Sequence, residues 1–494
     1  MKPTTFILIM PVLILGLLSG CTGAFEKNPA NETGKTTYFG VEINQVLCGY
    51  SIASEQVIVR QGKTVKTETN EAQAKLTILG QGMDLWFKTS YTTDLSSGKV
   101  VAVDSDINSG NTRIISNTVI EHDTAIFTSN TGQQKKKLFI SQEVIFETSS
   151  KSPHLFNDFI KNGLAEKTYR VYEPIGGEVI EKKYTRKNDE EVLFNDSTYK
   201  TLVLEETDLS NGTKGTIWLC KSDSMIVKML IAGRNIYLAD ASVVKRISMV
   251  NYDNVIFARV NRIIPDFQRS VYMKVRVKVM VQGSIITGDD LNFPGQVFTG
   301  TVEENLVEGI FEIEPVRYDG SGSPAFPPDF KNTLEMQKYL EPEIAVESNE
   351  PRIVKEAQKL TDGAPNAWEA AKLLSRWVAS NIKGAIPGGG SAINTYRMRE
   401  GECGGHSRLL VAFCRSVGIP ARLSSGCFYT PHYGGSFGQH AWTEVYMGDA
   451  GWIPIDATIY ETDHIDAGHI RFGEKISFQP VEMEILDYRI AQNF

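Results

Sequence analysis

The spacing of apolar residues changes along this chain, from every second position to every third or fourth, and the change falls after residue 330. Side chains repeat every two residues in a strand and every 3.6 in a helix. Separate blocks of each pattern therefore point to an α+β fold with strands first. The first block is clearest at Met273-Lys274-Val275-Arg276-Val277-Lys278-Val279. Met273, Val275, Val277 and Val279 share one face and the cations the other, which makes a half-buried strand and not a nucleic-acid motif. In the second block Asn349 can cap a helix with Pro351 in its first turn, running to about Leu360. Asn366 caps another, with Glu369 three residues on, and Ala370, Leu373, Leu374, Trp377 and Val378 follow at helical spacing.

At roughly 100–200 residues per domain, 494 residues make two to four domains. Residues 38–248 read as an antiparallel β domain, a sheet or an open barrel. Turns are expected at Ser97-Gly98, Ser109-Gly110, Gly176-Gly177 and Asn211-Gly212. One short helix is expected from His154 to Gly163, and the lone His122 and His154 read as structural or exposed. Residues 252–318 read as a second, smaller β domain. Residues 319–329, rich in Gly, Ser and Pro, read as a linker to a domain at 330–494. Gly388-Gly389-Gly390 lacks the Lys-Ser/Thr of a phosphate loop and reads as a flexible connection.

Hydrophobic residues make up 41% and charged residues 22%, which excludes wholesale disorder. A net charge of −8, from 51 Lys and Arg against 59 Asp and Glu, argues against a nucleic-acid partner. Residues 1–21 read as an export signal: Lys2, an apolar run from Phe6 to Leu18, then Leu18-Ser19-Gly20-Cys21. The run is about thirteen residues, short of the ~20 that span a bilayer. Small residues ahead of a cysteine resemble a lipoprotein signal. That resemblance implies cleavage before Cys21, lipid on its thiol and a protein anchored to the outer face of a cell membrane. Plain secretion and an uncleaved anchor are the alternatives. The polar stretch 22–37 would be the tether.

Five of the seven histidines (His406, His432, His440, His464, His469) follow residue 400, and so do Cys403, Cys414 and Cys427. The cysteines lack the close pairing of a structural zinc site, so no metal or other cofactor is expected. A nucleophile fits better. Gly401-Glu402-Cys403-Gly404-Gly405-His406-Ser407 precedes the apolar run Leu409–Val417, which Gly418-Ile419-Pro420 stops. Cys403 then opens a buried helix, where the dipole and unpaired N–H groups favour a thiolate and a developing oxyanion. His440 lies in Gln439-His440-Ala441-Trp442-Thr443-Glu444-Val445, a strand. Asp456 lies in the next, Trp452-Ile453-Pro454-Ile455-Asp456-Ala457-Thr458. A base with an acid behind it is what a cysteine nucleophile requires. His406, one turn along the same helix, is poorly placed to aim at Sγ, and His464 and His469 read as an exposed polar tail.

Gly-x-Cys, Gly-Ile-Pro-Ala-Arg at 418–422, His-Ala-Trp-x-Glu-Val at 440–445, then Gly-Trp and Asp-x-Thr resemble the transglutaminase-like superfamily of papain-type cysteine enzymes, over roughly 330–494. The resemblance implies a papain-like α+β domain with Cys403 as nucleophile, His440 as general base and Asp456 as its orienter. The family often has Asp-Pro-Thr where this chain has Asp456-Ala457-Thr458. It also tends to carry bulkier residues after the cysteine than Gly404-Gly405. Trp442 and Trp452 are open between substrate groove and core.

The expected activity is acyl transfer from a protein or peptide amide through a thioester, to water or to an amine. The rival is a non-catalytic surface scaffold or adhesion module. Of the remaining cysteines, Cys48 and Cys220 are a better disulfide pair than Cys414 and Cys427. Parity constrains the hairpin: His440 and Asp456 share a face only if odd residues pair with odd. That requires a three-residue loop Gly448-Asp449-Ala450 or a bulge, with Val445 opposite Ile453.

Overall fold

The computed structural model describes residues 35–492 except 61, 132–134, 141–142, 149–150, 331–332 and 475. The export signal and Cys21 lie outside the described residues. Of the stretch read as a tether, Thr36 and Thr37 already belong to the first strand, Thr36–Ile43. The chain divides into two units, one ending at Asn251 and one running from Tyr252.

The N-terminal unit is built on one long sheet. Its strands follow chain order outward from Thr36–Ile43 to Lys136–Phe139. On the other side they run backward from Arg234–Ala239 to Val144–Ile145. The two halves join where Thr36–Ile43 pairs antiparallel with Arg234–Ala239. The sheet rolls up: Thr118 and Tyr172, from strands far apart in its order, share a 2.7 Å hydrogen bond. Phe146 packs against both Tyr91 and Tyr172. Gly98, Gly110, Gly177 and Gly212 all take positive φ at the anticipated turns. The segment read as a helix from His154 is one turn, Pro153–Leu155, running into a wider π turn, Phe156–Lys161. Inside this unit Lys182, 3% exposed, lies 2.9 Å from Glu147 and 3.4 Å from Glu206, and the buried Tyr184 hydroxyl lies within hydrogen-bond distance of both carboxyl groups.

The C-terminal unit is mixed α+β. One face of a sheet carries helices Pro351–Leu360, Ala367–Asn381 and Cys403–Ser416 over Val445, Met447 and Ile455. Elsewhere Cys427, Tyr429, Phe437 and Ile470 of that sheet pack on a second sheet through Met273, Val275, Val277 and Val279. The latter four are at most 1% exposed, while Lys274, Arg276 and Lys278 pair outward with Glu312, Glu484 and Glu308. Asn366 caps as expected, accepting from Glu369 N at 2.9 Å. Glu350, one residue after Asn349, is the cap of the preceding helix.

Residues 252–318 do not stand apart. Strand Ser270–Gln282 pairs with Ser477–Ile490, and Phe257–Arg259 pairs with Ser436–Tyr446. Nor is 319–329 a free linker. Ala325 bridges to Asn366, and Ser323 Oγ accepts from Trp368 N at 3.0 Å. The triple glycine is also packed. A Cβ on Gly389 would lie 2.3 Å from Thr395 N, and one on Gly405 would lie 2.5 Å from Gly389 O. Glycine here permits close approach of two backbones instead of flexibility. No helix among the described residues is long and apolar enough to cross a membrane.

Candidate active site

Cys403 is the first residue of its helix, and the preceding Glu402 caps it with a side chain in place of the usual Ser, Thr, Asp or Asn. Glu402 Oε2 accepts from Gly404 N at 2.6 Å and from Cys403 Sγ at 3.8 Å. Burial pushes this carboxyl up to about 7, against the pull of Arg408 and the helix amides. Arg408 Nη1 lies 3.6 Å from Glu402 and donates to Gly390 O at 2.9 Å. The glycine pair now has a reason. A Cβ on Gly404 would stand 2.9 Å from Glu402 Oε2 and 3.0 Å from Arg408 Nη1, so a bulkier residue would displace that capping pair.

The helix is fastened to the strand that carries His440. Ser407 Oγ donates to Ala441 O at 3.1 Å, and Thr443 Oγ1 donates to Ser407 O at 3.3 Å. One edge of the strand Ser436–Tyr446 pairs with Phe257–Arg259 over residues 436–438 and with Trp452–Ile455 over 443–446. The bond to Ala441 falls between those two ladders, and the one from Thr443 falls at the start of the second.

The hairpin has the register that parity demands. Val445 is opposite Ile453 and Tyr446 opposite Trp452, across the turn Gly448–Ala450, with Gly448 at φ +66°. Asp456 follows this strand and turns the chain, accepting from Thr458 N at 2.9 Å through Oδ1. Its Oδ2 lies 2.6 Å from His440 Nε2. His440 is 1% exposed and Asp456 0%. Burial works against the Asp456 carboxylate, yet His440 and His469 hold it well below the usual range.

His469, expected in an exposed tail, is instead 2% exposed on the strand His469–Gly473. Pairing places it opposite Phe428, which is itself opposite Gly438, so it shares the face of His440. Its Nε2 is 3.3 Å from Asp456 Oδ2 and its Nδ1 is 3.2 Å from Asp466 Oδ1, with Glu461 Oε2 at 3.9 Å. His464 is half-buried, with Nδ1 2.7 Å from Asp463. The signal for His469 was the alternation His469-Ile470-Arg471-Phe472, which splits into a polar and an apolar face. Arg471 on the polar face binds Glu444 at 2.5 Å, and Arg422 of the Gly-Ile-Pro-Ala-Arg stretch binds the same Glu444 at 2.6 Å.

The remaining candidates separate. His406 has Glu402 O at 2.9 Å and Ile382 O at 3.2 Å on its two ring nitrogens, so it is tied to backbone. Trp442 is fully buried, stacked 6.1 Å from His440 and edge-on to His469, which makes it a core aromatic beside the histidines. Trp452 sits under the Arg422 guanidinium at 4.0 Å and against Tyr339. None of Cys48, Cys220, Cys403, Cys414 and Cys427 is in a disulfide. His440, Asp456 and His469, and likewise Glu461, Asp466 and His469, offer ligand atoms within 4.8 Å of one another. Both His469 nitrogens already face carboxylate oxygens, so the arrangement fits a proton network better than a cation's ligand set.

Residues 355–457 match the family model of the transglutaminase-like superfamily. An uncharacterized protein of Haemophilus influenzae is 28% identical over 181 residues, which is 31% of this chain and 46% of that protein. The chain thus spans about half the length of this curated relative. Among solved structures, a candidate cysteine protease from Cytophaga hutchinsonii is 16% identical with a TM-score of 0.34, covering 48% of this chain and 94% of that one. The periplasmic domain of TgpA from Pseudomonas aeruginosa, bound to ethylmercury, is 14% identical with a TM-score of 0.26, covering 41% and 89%. The family-model match alone places a transglutaminase-like domain at residues 355–457, within the C-terminal unit.

Proposed function

We propose that this chain is a cysteine acyl-transfer enzyme acting on protein or peptide amides. The reading rests above all on the buried 2.6 Å contact of His440 with Asp456, on a strand to which the helix opened by Cys403 is fastened. In this reading His440 takes the thiol proton of Cys403, and the thiolate attacks the amide carbon. The C–N bond breaks, the amine leaves with the proton from His440, and a thioester remains. Water or a second amine then attacks the thioester, and the thiol is restored. Asp456 fixes the orientation of His440 and stabilises its imidazolium. The helix N-terminus is suited to the developing oxyanion.

The other reading, a binding module that keeps the fold, draws support from the complete burial of Cys403, 0% exposed. Labelling with a thiol-reactive amide probe, mapped by mass, decides between them. Burial pushes Cys48 up to about 11, Cys414 up to about 12 and Cys427 well above its ordinary value, so an activated Cys403 should far outpace these three in taking up label at pH 7. A native protein in which Cys403 stays unlabelled would be a binding module.

The enzyme is further proposed to act at a membrane surface, anchored through lipid on Cys21, on the strength of the Leu18–Cys21 signal. Cys21→Ala should release the protein or leave it unprocessed. A cleaved Cys21→Ala protein that stays on membranes rules the anchor out.

A further inference from the structure

Asp456 Oδ2 faces two imidazoles, and only one of them belongs to the reaction proposed above. On the far side, His469 stands between carboxylates: Asp456 Oδ2 at 3.3 Å from Nε2, and Asp466 Oδ1 at 3.2 Å from Nδ1. Asp466 Oδ1 also accepts from Gly468 N at 2.7 Å, which fixes that oxygen as an acceptor. A neutral imidazole carries one N–H and one lone pair. It would turn that lone pair toward one of these oxygens, whereas an imidazolium satisfies both.

We infer that His469 is a positioning residue carried as an imidazolium, clamped between Asp456 and Asp466, which shares the Asp456 charge and so weakens the hold of Asp456 on the His440 proton. This deepens the thioester reading and rests on it. The groups facing His469 are Asp456 from the hairpin, Glu461 and Asp466 from the segment before it, and His440 from the central strand. Phe428 at 4.6 Å and Trp442 at 5.2 Å between ring centroids exclude water from the rest. Burial alone would lower the affinity of His469 for its proton, but Asp456, Asp466 and Glu461 raise its pKa to about 10. The His440 and His469 rings are 5.8 Å apart. At that distance a fixed positive charge opposes the imidazolium that His440 forms when it takes the thiol proton. His440 is thereby readied to pass that proton to the departing amine.

The test is carboxymethylation of Cys403 by iodoacetate in the full chain, followed against pH. An anionic reagent is drawn to a thiolate paired with an imidazolium, so its rate falls on the alkaline side as His440 loses its proton. His469→Gln keeps a hydrogen-bonding side chain and removes the charge. The expected result is an alkaline limb moved up by about one pH unit or more. A limb that does not move, in a variant whose circular dichroism shows it folded at the assay temperature, overturns the inference. Nitrogen-15 histidine spectra of the wild-type protein give a second readout that needs no variant. At pH 8 His469 should show two protonated nitrogens, and a single N–H overturns the inference. Failure of wild-type Cys403 to react would instead strike the thioester reading, and the nitrogen spectra would then decide the state of His469 alone.

Discussion

In the N-terminal unit Lys182 sits between Glu147 and Glu206, with the Tyr184 hydroxyl closing the group. In the C-terminal unit the buried cluster alternates imidazoles with carboxylates: His440, Asp456, His469, Asp466. Both take charge out of water, which is tolerated only where partners compensate it. They differ in what can move. The acids raise the pKa of Lys182 above its already high ordinary value, so its proton stays put near neutrality. The second cluster contains His440, an imidazole facing a single carboxylate oxygen, on a strand tied to the helix that begins with a cysteine. Glu461 Oε1 and Asp466 Oδ2 there are buried and make no hydrogen bond. The lesson is that buried charge becomes a candidate for chemistry only where it includes an imidazole placed to pass a proton.

The largest effect expected on that contrast is kinetic. Asp456→Asn should slow probe labelling of Cys403 by about 10⁴-fold. Lys182→Met should leave the rate unchanged; an equal slowing there would erase the distinction between the clusters. Next in size is a stability effect with the opposite address. Lys182→Ala leaves two acids without their cation and should cost about 3–5 kcal/mol in urea unfolding, with Lys182→Met costing less. A loss under about 1 kcal/mol would mean that the acids simply take up protons. The smallest is a slope with pH. The folded pKa of His469 is raised to about 10 from the ordinary 6.5, so its contribution is complete below about pH 6.5 and is lost as pH rises through about 10. The thermal midpoint of the C-terminal unit should therefore decline from pH 7 to pH 10, and more gently in His469→Gln. Equal slopes in the two proteins would remove His469 as the cause.

What could be read from the amino acids was local. The alternation from Met273 to Val279, the Asn366 cap and the odd-length turn at 448–450 each depend on residues within a few positions of one another. What could not be read depended on distant partners. Glu461 to Gly468 looks like a polar tail, because its polarity is visible in sequence while the rings of Phe428 and Trp442 that enclose His469 are not. The triple glycine looked flexible for the same reason: the Thr395 and Gly405 backbones that press on it arrive from elsewhere. The apparent independence of residues 252–318 failed because their sheet takes a strand from the far end of the chain.

That borrowed strand also bears on timing. Asn261 exchanges two hydrogen bonds with Ile485 across 224 residues of sequence, and Phe257–Arg259 waits for Ser436–Phe437-Gly438. A chain that emerges N-terminus first presents these early strands with open edges until its last strand follows. Such long-range closures are slow, and unpaired edges invite wrong partners in the interval. The sheet bearing His440 would thus be among the later parts of this unit to be completed, so Cys403 and His440 come to their places only after strand His469–Gly473 has been added.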